Sequence, residues 1–505
     1  MTKPIRILLQ PLGKTLEVNE GTPLQDVLFD YGVEFPCGGR GACRGCRVRV
    51  LEGTAPISPE EEKLFTLSEL EQGWRLACRM SAACDLTLEL AQWELSILAD
   101  ESPFQFTPSE GLGVAVDVGT TTVVAQLIHR GTGRVLGVRS ALNPQAQHGS
   151  DLMSRIHYAI AHQGQAKLTR MIRETVGRLI AELAAANESG EKNLRLVTLV
   201  GNTAMHNLFC GVDVKPLSEF PFQSPQDDLM EFTANDLGWD CAGDPVIRFL
   251  PCLGSFVGSD LLAGIMATRM HCRENLTALI DLGTNGEILV GGREKILCAS
   301  TAAGPAFEGG RISMGMRASS GAISSVVAEK GELHCHVVGG GRPCGICGSG
   351  LVDAVAAGLD LQRIDAFGRL ANGSKAMDLQ TPVSVSQRDI RELQLAKGAI
   401  AAGLHVLLDD VGASANDLES FFLAGAFGNT INSESARRIG LFDCPLDRVR
   451  PAGNTALLGA KMALFPEYDS ADSMQAILDR CEHVVLSGNA LFQEKFVDEM
   501  VFPTS

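Results

Sequence analysis

The chain has 505 residues, 45% of them hydrophobic and 20% charged, with a formal net charge of −17. That length exceeds what one hydrophobic core serves, so two or three domains are expected, and the apolar content excludes a disordered chain. The acidic balance excludes a protein built to coat nucleic acid, because phosphate neutralisation needs clustered Lys and Arg.

The N-terminal stretch MTKPIRILLQPLGKTLEV has a short apolar run and no small-residue cleavage site, so it does not read as a signal peptide, and no apolar run reaches membrane-spanning length. A cytoplasmic protein with no nucleic-acid or membrane partner is expected. The cysteines are mostly scattered singly (Cys210, Cys241, Cys252, Cys272, Cys298), which suits reduced, buried thiols better than a disulfide framework.

From Pro4 to about Ala91 the pattern predicts strands over Ile5–Leu9 and Thr15–Val18, a helix over Leu24–Tyr31, a cysteine loop and a strand over Cys46–Leu51. Ser58, Pro59 and Glu61 form a capping-box start for another helix, with the hydroxyl at the cap, Pro at N1 and Glu at N3. The alternation in DLTLEL predicts a closing strand. Residues 1–91 thus read as a small β-grasp-like domain, and residues 92–110, with Pro103 and Pro108, as a linker.

The loop PCGGRGACRGCRVRV sets Cys37, Cys43 and Cys46 in C-x5-C-x2-C spacing, and Cys78 lies beyond the intervening helix. Four thiolates in this arrangement are what a 2Fe–2S cluster needs, two sulfurs to each iron. The first gap is one residue longer than the plant-type form and matches the other branch of ferredoxins. Gly38, Gly39, Gly41 and Gly45 let the loop turn its N–H groups toward an anionic cluster. Arg40, Arg44 and Arg47 would offset its charge and meet an acidic partner or electron donor. The competing reading is a zinc site. Cys84 reads as a core thiol, and Cys344 and Cys347, with no second pair or His nearby, as packing residues without a metal. His334 and His336 would share the surface face of a strand.

From Gly111 onward the chain carries a faint duplication. GVAVDVGTTTVVAQLIHRGTGRVLGV and TALIDLGTNGEILVGGREKILCA share one plan: a strand ending in Asp, a Gly-Thr turn, then two strands joined by a tight turn. Helical patterns follow each, Ala166–Ala185 and Ile390–Leu408. Two similar α/β lobes facing each other are expected, over residues 111–272 and 273–505.

DVGTTT (Asp117–Thr122) and DLGTNGE (Asp281–Glu287) each place a carboxylate at a strand end, before a turn whose N–H groups and hydroxyls suit phosphate oxygens. The Asp itself repels phosphate and must act through Mg²⁺ or an ordered water. In FFLAGAFGNTIN an apolar strand runs into Gly425 and Gly428, which leave room for a flat ring against the backbone, and Ser433 can cap the next helix. No G-x-x-x-x-G-K-[ST] pattern occurs, so an ATP site is of another type.

These paired turns and the Gly-rich loop resemble the superfamily of acetate and sugar kinases, heat-shock cognate ATPases and actin. More specifically, the whole chain resembles the reductive activators of corrinoid enzymes, on the phrases NPQAQHGSDLMSRI, VGNTAMHNLF, AAGPAFEGGRISMGM and GICGSGLVDAV. The resemblance implies an α/β and α+β fold: an N-terminal β-grasp ferredoxin domain, then a duplicated actin-like (ribonuclease H-like) two-lobed ATPase domain. It implies a 2Fe–2S cluster, ATP and Mg²⁺ as cofactors. The activity it implies is ATP-dependent return of one electron to a corrinoid protein of a methyltransferase system, Co(II) to Co(I), drawn from an upstream low-potential donor.

By the same resemblance Asp117 and Asp281 would position Mg²⁺ and the attacking water. Gly119, Thr120, Thr121 and Thr122, with Gly283, Thr284, Asn285 and Gly286, would hold the phosphates, and Gly425 and Gly428 the adenosine. Glu287 is a further candidate for the water, against the reading of a strand residue paired with an arginine; Asp260 reads as a helix cap or a catalytic acid, and His206 as structural. The short stretch between ferredoxin and ATPase leaves no room for the additional middle domain of some members. Two other classes stay open: a small-molecule kinase with a regulatory iron–sulfur domain, and a plain ferredoxin-type electron carrier. Whether the chain forms a homodimer is left open as well.

Overall fold

The computed structural model describes residues 4–10, 12–33, 35, 39–41, 44–90, 102–149, 151–187, 193–241, 243–283, 285–428, 430–469 and 471–504. In the N-terminal part, five strands form one sheet in the order Lys14–Asn19, Pro4–Gln10, Leu86–Leu90, Arg47–Glu52, Trp74–Leu76. Alternation in the strand Pro4–Gln10 buries Ile5, Ile7 and Leu9 beneath Leu24 and Leu28 of the helix Leu24–Leu28. That helix is shorter than expected: it tightens into a 3-10 turn over Phe29–Tyr31 and ends at Gly32, whose φ of 87° only glycine adopts readily. The capping box forms as read, with Glu61 N donating to Ser58 Oγ (3.3 Å) and Ser58 N to Glu61 Oε2 (2.6 Å). Leu86–Leu90 is the central strand, so Leu86, Thr87 and Leu88 are all buried despite their alternating sequence.

Two six-stranded sheets then share a five-strand plan, with the sixth strand at opposite edges. In each, the Asp-bearing strand (Leu112–Val118, then Thr277–Leu282) pairs antiparallel with its own hairpin and parallel with a later strand (Leu194–Val200, then Ser420–Ala424). The helix Gln165–Ala185 covers the outer face of the first sheet and Gln387–Asp410 that of the second. Between the sheets lie Ser259–Thr268 and Thr455–Met462, so close that a Cβ on Gly459 would meet the Ala263 carbonyl. Thr455–Met462 comes from the second half of the sequence yet packs on the first sheet. The helix after the Gly-rich loop is capped by Asn432, whose side chain accepts from Glu434 N and Ser435 N, and not by Ser433, which is its first residue.

Residues 102–110 have no regular structure but are fixed to the second half of the chain: Phe106 packs 4.6 Å from Phe465 between ring centroids, and Tyr468 Oη donates to Gln105 O (3.0 Å). No helix among the described residues is long and apolar enough to cross a membrane.

The C-terminal helix Ala490–Asp498 is clasped by His405, whose Nδ1 lies 2.9 Å from Glu499 and Nε2 3.5 Å from Asp443. The Asp443 and Glu499 partners raise the His405 pKa to about 9. Because the folded-state value is raised, the contribution is fully present below the unfolded value near ~6.5 and is lost as pH rises through about 9. We expect His405→Gln to destabilise by about 1–2 kcal/mol at pH 6 and by much less at pH 10, checked by denaturant melts at both values.

Candidate nucleotide and iron–sulfur sites

The period-2 alternation of the two Asp-bearing strands decides where their carboxylates point. Val114, Val116 and Val118 face the outer core of the first sheet, which turns Ala115 and Asp117 inward. Ala278, Ile280 and Leu282 do the same in the second, turning Leu279 and Asp281 inward. Asp117 and Asp281 therefore face each other across the gap between the lobes. Glu287 stands opposite Asp281 in the antiparallel register. Asp260 joins them from the first turn of Ser259–Thr268, its Oδ1 accepting from Leu261 N (2.9 Å). The second sandwiched helix is capped by Asn454, whose Nδ2 also donates to Asp117 Oδ2 (2.9 Å).

Crowding four acids out of water pushes all of them up. Burial, partly offset by the Asn454 amide, raises the Asp117 pKa to about 6. Burial, with Asp117 beside it, raises Asp260 to about 7, and burial with Asp260 and Asp117 raises Asp281 to about 7. Glu287 is held well above the ordinary carboxylate range by burial and by Asp260 and Asp281. It faces these acids and the Asn285 amide, not an arginine as one sequence reading had it. Ionising any one of these acids raises the cost of ionising the others, because like charges this close repel in a dry setting.

The two Asp-Gly turns are built alike. Gly119 N donates to Thr122 O (3.1 Å) and Gly283 N to Asn285 O (3.1 Å). A Cβ on Gly119 would lie 2.5 Å from Thr122 O, so the turn needs glycine. The hydroxyls are already engaged in this state: Thr120 Oγ1 accepts from Asn202 Nδ2 (3.0 Å) and Thr121 Oγ1 donates to Glu308 Oε2 of the opposite lobe (3.5 Å). Thr122 begins the strand Thr122–His129, and Gly286 begins Gly286–Gly291 with its carbonyl held by Thr301 Oγ1 (3.1 Å). Thr284 lies outside the described residues. At Gly425, φ is 82° and a Cβ would fall 2.5 Å from Asp281 Oδ1; at Gly428 it would press on the Leu423 backbone. Neither position has space for a side chain, and Gly425 seats the Asp281 carboxylate.

In the N-terminal domain, Cys46 is buried at the start of Arg47–Glu52, and Cys78 sits half-buried in the 3-10 turn Ala77–Arg79. The hydrogen bond from Ala77 N to Cys46 O (3.0 Å) brings these two positions together. Cys37 and Cys43 lie outside the described residues. Gly39 (φ 72°) and Gly41 (φ 68°) pass so near Gln25 and Arg79 that a Cβ on either would collide. Two glycines with no room for a Cβ, on a loop beside Cys46 and Cys78, fit an iron–sulfur group.

Two of the three arginines do not reach outward as expected. Arg44 pairs with Glu69 and lies over the Phe65 ring (4.7 Å to the centroid). Arg47 is buried, with Nη1 and Nη2 each 3.4 Å from the carbonyls of Gly315 and Cys344 in the second half of the chain. Arg317 Nη2 returns the contact by donating to Gly32 O (3.0 Å). Arg47→Ala leaves two carbonyls without a donor at this junction and is expected to cost about 1–3 kcal/mol, read as a lower melting temperature and faster proteolysis between the domains.

Residues 7–83 match the 2Fe-2S iron-sulfur cluster binding domain, residues 112–273 the RACo middle region, and residues 275–505 the C-terminal domain of RACo, the ASKHA domain. The chain belongs to the RACo family. It is 29% identical to the corrinoid activation enzyme RamQ of Eubacterium limosum over 99% of each chain. It is 26% identical to a Co(II) methylated amine-specific corrinoid protein reductase of Methanosarcina barkeri, over 78% of this chain and 77% of that one. A solved structure of a reductive activator for corrinoid, iron-sulfur protein superposes with a TM-score of 0.70 at 25% identity, covering 99% of this chain and 98% of that one. The middle region of RACo chains falls on the segment read above as the first ATPase lobe, which corrects the expectation that no middle region fits.

In this RACo chain the first turn is held by residues that sequence reasoning did not single out. Asn143 Nδ2 donates to Gly119 O (2.9 Å), Arg155 Nη2 to Thr120 O (2.5 Å), and Asn202 caps the helix Thr203–Cys210 while bonding Thr120. All three lie in the phrases that carried the resemblance, which was the available signal. His206 is fully buried edge-on against Phe249, with its ring nitrogens 3.3 Å from Asn207 Oδ1 and Asp228 O. Cys347 is buried 3.2 Å from Ser349 Oγ, while Cys344 and Cys272 are exposed, against the expectation of a buried thiol at Cys272. Cys84 is half-buried on the edge of the N-terminal core. His334 and His336 lie on the exposed face of Glu332–Val337.

Proposed function

We propose that this chain is an ATP-dependent reductive activator of a corrinoid protein, passing one electron through a 2Fe–2S site to Co(II) and so regenerating Co(I). The observation that carries the reading is likeness along 99% of the chain to a corrinoid activation enzyme and to a reductive activator. The partners are the corrinoid protein of a methyltransferase system and an upstream low-potential electron donor. The setting is the cytoplasm, where reduced thiols persist. Residues 1–91, the linker 92–110 and lobes 111–272 and 273–505 are its working units.

When bound, the iron–sulfur group supplies one-electron carriage, and Mg-ATP supplies the driving force of hydrolysis. Cys37, Cys43, Cys46 and Cys78 hold the former. Asp117 and Asp281 hold Mg²⁺, which takes one or two carboxylates alongside waters and phosphates. Gly119–Thr122 and Gly283–Gly286 offer N–H groups to the phosphates. The N-termini of Ser259–Thr268 and Thr455–Met462 add favourable dipoles beside them. Asp260 and Glu287 orient the attacking water, and the turn at Gly425 and Gly428 borders the adenosine.

The test mixes reconstituted protein with a Co(II) corrinoid protein and a low-potential reductant, and follows the Co(I) absorption band with and without ATP. Nucleotide-dependent growth of the band is expected. Equal growth without nucleotide, or ATP consumption that yields a phosphorylated small molecule and no Co(I), sinks the reading.

A further inference from the structure

The segment AAGPAFEGGRISMGM, Ala302–Met316, runs from one candidate site to the other. At one end the half-buried Glu308 accepts from Thr121 Oγ1 of the first Asp-Gly turn (Oε2, 3.5 Å), and the buried Arg155 guanidinium feels its charge. At the other end Gly315 O accepts from Arg47 Nη1 (3.4 Å), and Arg47 follows Cys46 in the chain. Arg317, just beyond, donates to Gly32 O of the N-terminal domain.

Between those ends the backbone is closed on itself. Gly309 N donates to Ala306 O (3.0 Å), Gly310 N to Pro305 O (2.7 Å) and Gly315 N to Ile312 O (3.1 Å). Gly309 and Gly315 press backbone to backbone: a Cβ on Gly315 would collide with Gly309 O, and one on Gly309 with Met316 O. Met316 N donates to Ile346 O (2.9 Å), which ties the loop to the segment carrying Cys344 O, the second acceptor of Arg47. Close-packed backbone is hard to compress, so a push at Gly309 is passed to Gly315.

Glu308 is also the residue that a phosphate on the first turn disturbs. Oxygens bound to Thr121 Oγ1 take that donor away from Glu308 and set like charge beside a half-buried carboxylate, where repulsion is weakly screened. We propose that Glu308 is a positioning residue: it is displaced when the first turn fills, and the Gly309–Met316 loop carries the displacement to Arg47 and so to the backbone at Cys46. The inference rests on reading Thr121 as phosphate-holding, and it puts the coupling of nucleotide to electron carriage within this chain.

Amide hydrogen exchange of the full, iron-loaded chain with and without a non-hydrolysable ATP analogue tests this, with analogue binding measured alongside by equilibrium dialysis. In the wild type the Gly315 and Met316 amides are expected to exchange about tenfold faster with the analogue bound. The midpoint potential of the iron–sulfur group, read by redox titration of its visible absorption, should shift as well. Glu308→Gln keeps the shape and an acceptor for Thr121 but removes the charge that phosphate repels. It should bind the analogue at least as well as the wild type and lose both responses, whereas a merely structural role would leave the responses to the analogue intact. Analogue binding that leaves the exchange or the potential of the wild type unchanged, or full responses in Glu308→Gln, overturns the proposal; growth of the Co(I) band in the test above then keeps the functional reading standing. A chain that binds no adenine nucleotide overturns both.

Discussion

Asp281→Asn is expected to lower nucleotide-driven Co(I) formation by a factor on the order of 10² or more, while iron content and visible absorption stay as in the wild type. The amide keeps the shape of the carboxylate, and Gly425 still leaves it room. What is lost is the negative charge that faces Asp117 across the lobes. The same change should stabilise the protein without nucleotide. Burial and the neighbouring acids raise the Asp281 pKa to about 7, so the folded state holds this proton more tightly than the unfolded chain does. The contribution of a raised group is fully present below its unfolded value, near ~3.9, and is lost as pH rises through about 7. Asp281→Asn removes that loss, so at pH 8 the nucleotide-free variant should be more stable than the wild type by roughly 1–3 kcal/mol, and at pH 4 by nothing. Denaturant melts at the two pH values check this. A variant with full activity, or one destabilised at pH 8, contradicts the role given to this carboxylate.

The second large effect concerns the thiols. Cys46→Ser is expected to abolish the visible absorption of the iron–sulfur group and all electron delivery, while ATP hydrolysis persists, because the substitution lies in a domain with its own core. Cys84→Ser is the matched control. Its sulfur lies at the edge of that core, 3.5 Å from Thr54 N and O, and its loss should leave iron and sulfide content untouched. Iron and acid-labile sulfide per chain, measured after anaerobic reconstitution, separate the two. A Cys46→Ser protein that keeps its full complement of iron contradicts the assignment of this ligand.

Much of this was legible before any fold was known. The capping box at Ser58 and the Asp-bearing strands with their hairpins are local patterns, and each forms where the sequence places it. The misses are of another kind. Leu24–Tyr31 looked like one helix because nothing in its spacing marks where an α-turn tightens. Asn432 displaced Ser433 as a cap because either side chain can serve and only the backbone path chooses. Arg44 and Arg47 looked like outward charges, since a sequence cannot say that Glu69 waits for the first within its own domain, or Gly315 and Cys344 for the second across a domain boundary.

By itself the sequence determined the inventory: two copies of a strand ending in Asp, a loop rich in thiols and glycine, and the alternation that gives each strand an inner and an outer face. Those properties depend on neighbours a few residues apart, which any reader of the chain can count. Only the tertiary structure decided that Asp260 and Glu287 join Asp117 and Asp281, that the helix Thr455–Met462 crosses back to the first sheet, and that Arg47 reaches from the N-terminal domain to the carbonyls of Gly315 and Cys344. Such encounters come from packing two helices between two sheets, where residues far apart in the chain meet because their apolar faces must be buried together, and no local spacing records which of them will.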